Sequence, residues 1–154
     1  ATEGLKLAAN VAAMLIAFIS MVAMINFALG LLGTSMQEIL GLLFKPLAWT
    51  MGIPWKDAEI VGVLLGEKIV LTELIAFRDL SDYVAKNILS ERSIIITSYA
   101  LCGFANFGSI GIQLGGIGSM APDRKKDLSK IVFKAMLGGA IASWLTASIV
   151  GIII

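Results

Sequence analysis

The sequence predicts an all-α, polytopic membrane protein with a re-entrant helical hairpin and a discontinuous transmembrane helix. Three observations carry that expectation. Of the 154 residues, 58% are hydrophobic and only 15% charged, against about 25% charged in a soluble domain, and the mean hydropathy is +0.91. No charged residue occurs between positions 7 and 37. Two further apolar stretches are interrupted, one by ionisable side chains around Glu67-Lys68 and Glu73, the other by glycines between Gly103 and Gly118.

The same composition excludes several function classes. A net charge of +1 without a long basic tract gives a nucleic-acid partner no electrostatic basis. Histidine is absent, which removes His-based triads and His metal sites. The lone Cys102 can form neither an internal disulfide nor a CxxC site. Gly116-Ile117-Gly118-Ser119-Met120-Ala121 fits the loose form of a dinucleotide fingerprint, but no strand–helix unit surrounds it and Pro122 follows at once. Ser109 lacks a base to activate it as a nucleophile. No enzyme activity, cofactor or metal site is expected, and the partner implied by composition is the lipid bilayer.

The first element covers residues 1–35. The opening Ala1-Thr2-Glu3 lacks an initiator Met and is read as a cut from something longer. At ~1.5 Å per residue, residues 7–32 exceed the ~30 Å hydrocarbon thickness and span it as a tilted scaffold helix. Asn10 and Asn26 are read as hydrogen-bonding to neighbouring helices, and Gly30, Gly33 and Thr34-Ser35 as the exit. Residues 36–58 carry Lys45-Pro46 and Ile53-Pro54 with Trp49 and Trp55. Proline breaks helices while Trp and Lys favour the membrane–water interface, so an interfacial helix and a turn are expected.

Residues 59–89 are predicted to form the re-entrant hairpin. The arms 60–66 and 69–77, separated by Glu67-Lys68, are each ~10–14 Å long as helix and cannot cross. A single straight helix would bury three ionisable groups, Glu67, Lys68 and Glu73, at about 2.5–3.5 kcal/mol each. A hairpin sheltered by protein beside a water-filled cavity avoids much of that cost. Residues 90–122 are long enough to span, yet Gly103, Gly108, Gly111, Gly115, Gly116 and Gly118 weaken the helix by about 1 kcal/mol each relative to Ala. With Asn106 and Ser109 among them, they suggest a broken helix presenting backbone and short polar groups to a substrate.

Arg124, Lys125, Lys126, Lys130 and Lys134 against Asp123 and Asp127 place the loop 123–130 in the cytoplasm by the positive-inside rule, and the final span, 127–154, runs outward to an extracytoplasmic C-terminus. Gly139, Ser143, Ala147 and Gly151 recur every fourth residue, a smooth packing stripe.

Glu73 is the outstanding candidate for chemistry. It lies among Ile69, Val70, Leu71, Leu74, Ile75 and Ala76, and an ionisable group in such surroundings is functional by default. An ion pair with Lys68 or Arg78, each five residues away, is the plain structural alternative, at an unfavourable helical spacing.

Gly66-Glu67-Lys68-Ile69-Val70-Leu71-Thr72-Glu73-Leu74-Ile75-Ala76-Phe77 resembles the second hairpin of the concentrative nucleoside transporters. Leu89-Ser90-Glu91-Arg92-Ser93, Tyr99-Ala100-Leu101-Cys102-Gly103-Phe104-Ala105-Asn106-Phe107-Gly108-Ser109-Ile110-Gly111 and Gly115-Gly116-Ile117-Gly118-Ser119-Met120-Ala121-Pro122 are similar to that family's most recognisable stretches. The resemblance implies the C-terminal repeat of a homotrimeric, cation-coupled nucleoside symporter built from two inverted repeats. It implies Glu73, Asn106 and Ser109 at the ribose hydroxyls and Phe104 against the base. The co-transported ion is Na+ or H+, and its main site, with the base-reading motif, is expected in the N-terminal half, a required partner. One departure is Thr72-Glu73-Leu74, where the family often has Asn-Glu-Phe. A membrane assembly module without its own ligand, or a passive channel, are the competing readings.

Overall fold

The structure, a computed structural model, describes residues 2–154; Ala1 and the side chain of Glu3, which bear on the reading of the N-terminal end, lie outside the described residues. It contains seven α-helices and no strand among the described residues: α1 (Thr2–Gly30), α2 (Met36–Thr50), α3 (Trp55–Val70), α4 (Glu73–Ala85), α5 (Glu91–Leu101), α6 (Phe107–Met120) and α7 (Lys125–Ile153), with a short 3-10 turn, Pro122–Arg124, leading into the last. Gly4–Gly30 and Pro122–Ile153 are long and apolar enough to cross a membrane.

α1 ends where the glycines and Thr34-Ser35 mark its exit, with Gly33 at φ +75°. Asn26 makes the interhelical bonds expected of it. Its Nδ2 donates to Gln37 Oε1 at 2.9 Å and its Oδ1 accepts from the Met36 backbone at 2.9 Å, tying the end of α1 to the start of α2. Asn10 instead lines an open groove with Ser119 between α1 and α6. α2 starts on a capping box: Ser35 Oγ accepts from the Glu38 backbone at 3.2 Å while the Glu38 carboxylate accepts from the Ser35 backbone at 3.0 Å, which satisfies two otherwise orphaned donors.

Pro46 does not break the chain as expected; it lies inside α2. The proline ring removes one backbone bond on the exposed side of the helix, whereas the opposite side is clamped to α3. There, Gly62 meets the Gly41 carbonyl so closely that no Cβ could intervene, and a Cβ on Gly66 would stand 2.8 Å from the Gln37 carbonyl oxygen. Tertiary contact of this kind overrides the local penalty. At the far end of α2, Trp49 and Trp55 meet edge to face at 6.3 Å, and Lys45 lies 5.1 Å over the Trp55 ring while pairing with Glu59 at 2.7 Å.

The main core lies between α2, α3, α4, α5 and α7, with Ala48, Ile53, Leu64, Leu65, Ile96 and Leu101 fully buried. Two polar staples close its base. Asp57, only 3% exposed, accepts through Oδ2 from the Ser90 backbone at 3.1 Å, the Ser90 hydroxyl at 2.7 Å and the Ser93 hydroxyl at 2.6 Å. Arg92 donates to the carbonyls of Gly52 and Gly151, and Gly151 of α7 packs directly on the Met51 carbonyl. The stripe on α7 is therefore a packing face at Ala147 and Gly151, as its spacing indicates, and also a polar contact at Ser143.

The break between α3 and α4 falls at Leu71-Thr72, not at Glu67-Lys68. Lys68 continues the inward face of α3, spaced three, four and seven residues from Leu65, Leu64 and Val61, all fully buried, so the helix has no reason to stop there. Thr72 does stop it, by capping α4 through its side chain to the Ile75 backbone.

Candidate functional site

Two interruptions of helical structure face each other. Residues 71–72 separate α3 from α4, and residues 102–106 separate α5 from α6. Gly103, at φ +140°, adopts a backbone that side-chain-bearing residues rarely tolerate, which lets the chain leave α5 and re-enter a helix after five intervening residues. α6 begins on Asn106, whose Oδ1 accepts from the Ser109 backbone at 2.7 Å while Ser109 Oγ accepts from the Asn106 backbone at 3.3 Å. Ser109 Oγ also donates to the Asn106 carbonyl at 2.6 Å.

The amide nitrogen of Asn106 is then free to point away from its own helix, and Nδ2 donates to Glu73 Oε2 at 3.0 Å. Glu73 is the first residue of α4 and Asn106 caps α6, so the carboxylate sits at two helix N-termini at once. Glu73 is half-buried, with its second oxygen available, while Asn106 and Ser109 are fully buried.

Neither ion pair weighed for Glu73 is what holds it. Arg78 bridges to Asp79 at 2.8 Å, and the Lys68 ammonium donates to Ala100 O at 2.9 Å and Ser143 Oγ at 2.7 Å. Glu73, Asn106 and Ser109 thus come together at one point. Phe104 stands in the same interruption, 54% exposed, an apolar ring face presented outward beside the polar cluster. What the sequence reading missed is the place of Lys68. Its spacing on the buried face of α3 was the available signal.

Residues 1–151 match the family described as Na+ dependent nucleoside transporter C-terminus. The chain is 42% identical over 174 residues to sodium/nucleoside cotransporter 1 of Mus musculus, covering 99% of this chain and 27% of that protein. It is 40% identical over 161 residues to the uncharacterized transporter YutK of Bacillus subtilis (strain 168), covering 100% and 39%. Among solved structures, a CNTnw variant in the intermediate 2 state aligns with a TM-score of 0.89 at 41% identity, covering 99% of this chain and 40% of that one. CNTnw in an inward-facing substrate-bound state aligns at 0.79 and 41% identity, covering 97% and 37%. The chain therefore spans well under half the length of the relatives it matches. With a family match over nearly every residue and a shared helical fold, the chain belongs to the Na+-dependent nucleoside transporters, as a C-terminal region of that family.

Proposed function

We propose that residues 1–154 are the C-terminal part of a cation-coupled nucleoside symporter that takes up nucleosides by alternating access. The single observation that carries this reading is the Asn106–Glu73 bond, which joins two helix interruptions at a carboxylate. A carboxylate only accepts hydrogen bonds, whereas an amide donates and accepts, so the pair can address vicinal hydroxyls. In the proposal, a ribose takes up the free oxygen of Glu73 and shares the amide of Asn106. Ser109 fixes the orientation of Asn106 and offers its hydroxyl oxygen to the same sugar as the site opens. Phe104, exposed beside them, gives a base a stacking face with little preference for its identity.

In this reading α3 and α4 are the arms of the re-entrant hairpin. Their 16 and 13 residues reach ~24 and ~20 Å, short of the ~30 Å hydrocarbon core. α5 and α6 are the halves of one broken transmembrane helix, α1 and α7 span, and α2 lies at the interface where Trp49, Trp55 and Lys45 cluster. The loop 123–130 is cytoplasmic and the C-terminus extracytoplasmic. Only Val22 of the described α1 residues is buried, which leaves the side of that helix turned away from α6 for lipid, for an N-terminal half of the same transporter, and for neighbouring protomers of a homotrimer. Alternating access is supported by the two CNTnw comparisons. Identity is 41% in both, yet the TM-score falls from 0.89 to 0.79 between the two states, so the difference is one of shape.

The coupled ion in this proposal is Na+, by the family's description, with its main site in the N-terminal half. Uptake into vesicles by the full-length protein, with sodium and pH gradients imposed separately, tests it. Uridine or adenosine accumulating above the external concentration under a sodium gradient alone is expected. Accumulation that follows only the pH gradient assigns H+ instead, and equilibration without accumulation would make the protein a channel. Glu73→Gln should lower uptake by about tenfold or more at normal membrane insertion; unchanged transport and affinity would remove Glu73 from the site.

A further inference from the structure

Lys68 is the largest fully buried side chain in the molecule among the described residues, and its hydrogen bonds go to Ala100 and Ser143, not to the site residues described above. Its ammonium reaches from α3 to the place where α5 ends. It donates to Ala100 O at 2.9 Å and to Ser143 Oγ of α7 at 2.7 Å. Ser143 uses its own proton on the Ala140 carbonyl at 2.8 Å, so its lone pair faces the lysine. Directly beyond, Gly103 turns at φ +140°, and a Cβ built there would stand 3.9 Å from the ammonium nitrogen. The chain thus begins its interruption on top of this charge.

The last four carbonyls of a helix have no partner within it and carry partial negative charge. Ala100 is one residue from the end of α5, and it ends in the protein interior, where an unpaired carbonyl is costly. A helix-end carbonyl together with a hydroxyl oxygen is also the kind of donor set that broken helices in transporters offer to a coupling cation. Here the charge is supplied by the chain itself. A buried ammonium left without such acceptors would be strongly destabilising, so each side of the contact needs the other.

We propose that Lys68 is a tethered cation: its ammonium permanently fills the cation position at the end of α5 and thereby positions the 102–106 interruption so that Asn106 meets Glu73. It follows that no exchangeable ion binds at this end of the broken helix, and the coupled ion binds elsewhere in the transporter. Lys68 is a positioning residue, acting through Asn106; the inference rests on the proposed nucleoside site.

The test uses the full-length transporter and chemical rescue. Lys68→Ala removes the three outer methylenes and the ammonium, a gap the shape of n-propylammonium. Nucleoside affinity should fall by about tenfold or more, as expected for losing a hydrogen-bonded charge. n-Propylammonium should restore both affinity and thermal stability, while n-propanol, similar in volume but neutral, should restore neither. Affinity within about twofold of wild type, or equal rescue by the amine and the alcohol, would overturn the proposal. So would a loss that the amine leaves untouched in a protein that melts at the wild-type temperature. If Lys68→Ala does not fold, Ser143→Ala keeps the lysine and removes one of its acceptors; binding weaker by about threefold or more supports the proposal, and unchanged binding overturns it. A wild-type protein that binds no nucleoside strikes the transporter reading instead, and amine-specific recovery of stability in Lys68→Ala still reads the tethered charge.

Discussion

Two helix pairs in this molecule are rich in glycine, and they use it in opposite ways. Between α2 and α3, Gly62 lies against the Gly41 carbonyl and Gly66 against the Gln37 carbonyl, backbone on backbone. Between α1 and α6, a Cβ added at Gly108, Gly111 or Gly115 would stand 3.3–3.5 Å from side-chain atoms of Leu15, Met14 and Phe18. The first contact has one register, because a carbonyl cannot move aside. The second is a smooth surface against flexible side chains, and methionine in particular adapts to a changing neighbour. The clamped pair is further stapled by Asp57 and Arg92 to α5 and α7. The site straddles this divide: Glu73 belongs to the helix that follows the clamp, Asn106 to the helix that rests on α1. Glycine content alone therefore does not distinguish a joint from a sliding face; the atom opposite the glycine does.

The joint between α2 and α3 is most sensitive at Gly62. Gly62→Ala drives a Cβ into the Gly41 carbonyl, and overpacking against backbone should cost about 3 kcal/mol or more. Loss of folded protein, or a large drop in melting temperature in detergent, is the expected readout; a wild-type melting temperature would mean the pair is not clamped. Asp57→Ala leaves three donors at Ser90 and Ser93 without their acceptor. About 2–3 kcal/mol should be lost, seen in the same melt, with nucleoside affinity in the remaining folded protein preserved. A variant with normal stability would show that the staple does not hold α3 to α5.

Asn106→Ala is smaller in stability and larger in function. Losing the cap of α6 should cost about 1 kcal/mol, while nucleoside affinity falls by about tenfold. A stability loss with no change in affinity would leave Asn106 as a cap and nothing more. Smallest of all is Gly115→Ala. Its Cβ would meet only Met14 Cγ at 3.4 Å, ordinary contact, and Ala favours the helix by about 1 kcal/mol over Gly. Stability should stay level or rise slightly, with transport retained; a collapse like that of Gly62→Ala would erase the distinction between the two pairs.

Much of the fold is legible in the residues, and the exceptions share one cause. The end of α1 at Gly30 and a break in the glycine-punctuated stretch around Gly103 and Asn106 follow from local chemistry: small residues, a cap, and a glycine with a left-handed backbone. Glu73 is legible because a carboxylate among aliphatic residues has few reasons to be there. Pro46 and Lys68 mislead because their local preference is outweighed by contacts distant in sequence. Pro46 is carried by the α2–α3 clamp. The Lys68 ammonium is hydrogen-bonded by Ala100 O and Ser143 Oγ, 32 and 75 residues away, and no inspection of its own segment reveals them. The partnership of Asn106 with Glu73 is likewise a 33-residue contact; each residue is visible alone, the bond only in three dimensions.

In the proposed site the Glu73–Asn106 pair reads sugar hydroxyls. Its most direct test is the affinity of the full-length transporter for a ribonucleoside and for the 2′,3′-dideoxy analogue with the same base, in wild type and in Glu73→Gln. A site built to pair with hydroxyls rejects the analogue that lacks them. Wild type should prefer the ribonucleoside by about a hundredfold, two hydrogen bonds' worth, and Glu73→Gln should shrink that preference by about tenfold or more. A preference that survives the substitution undiminished would contradict the account.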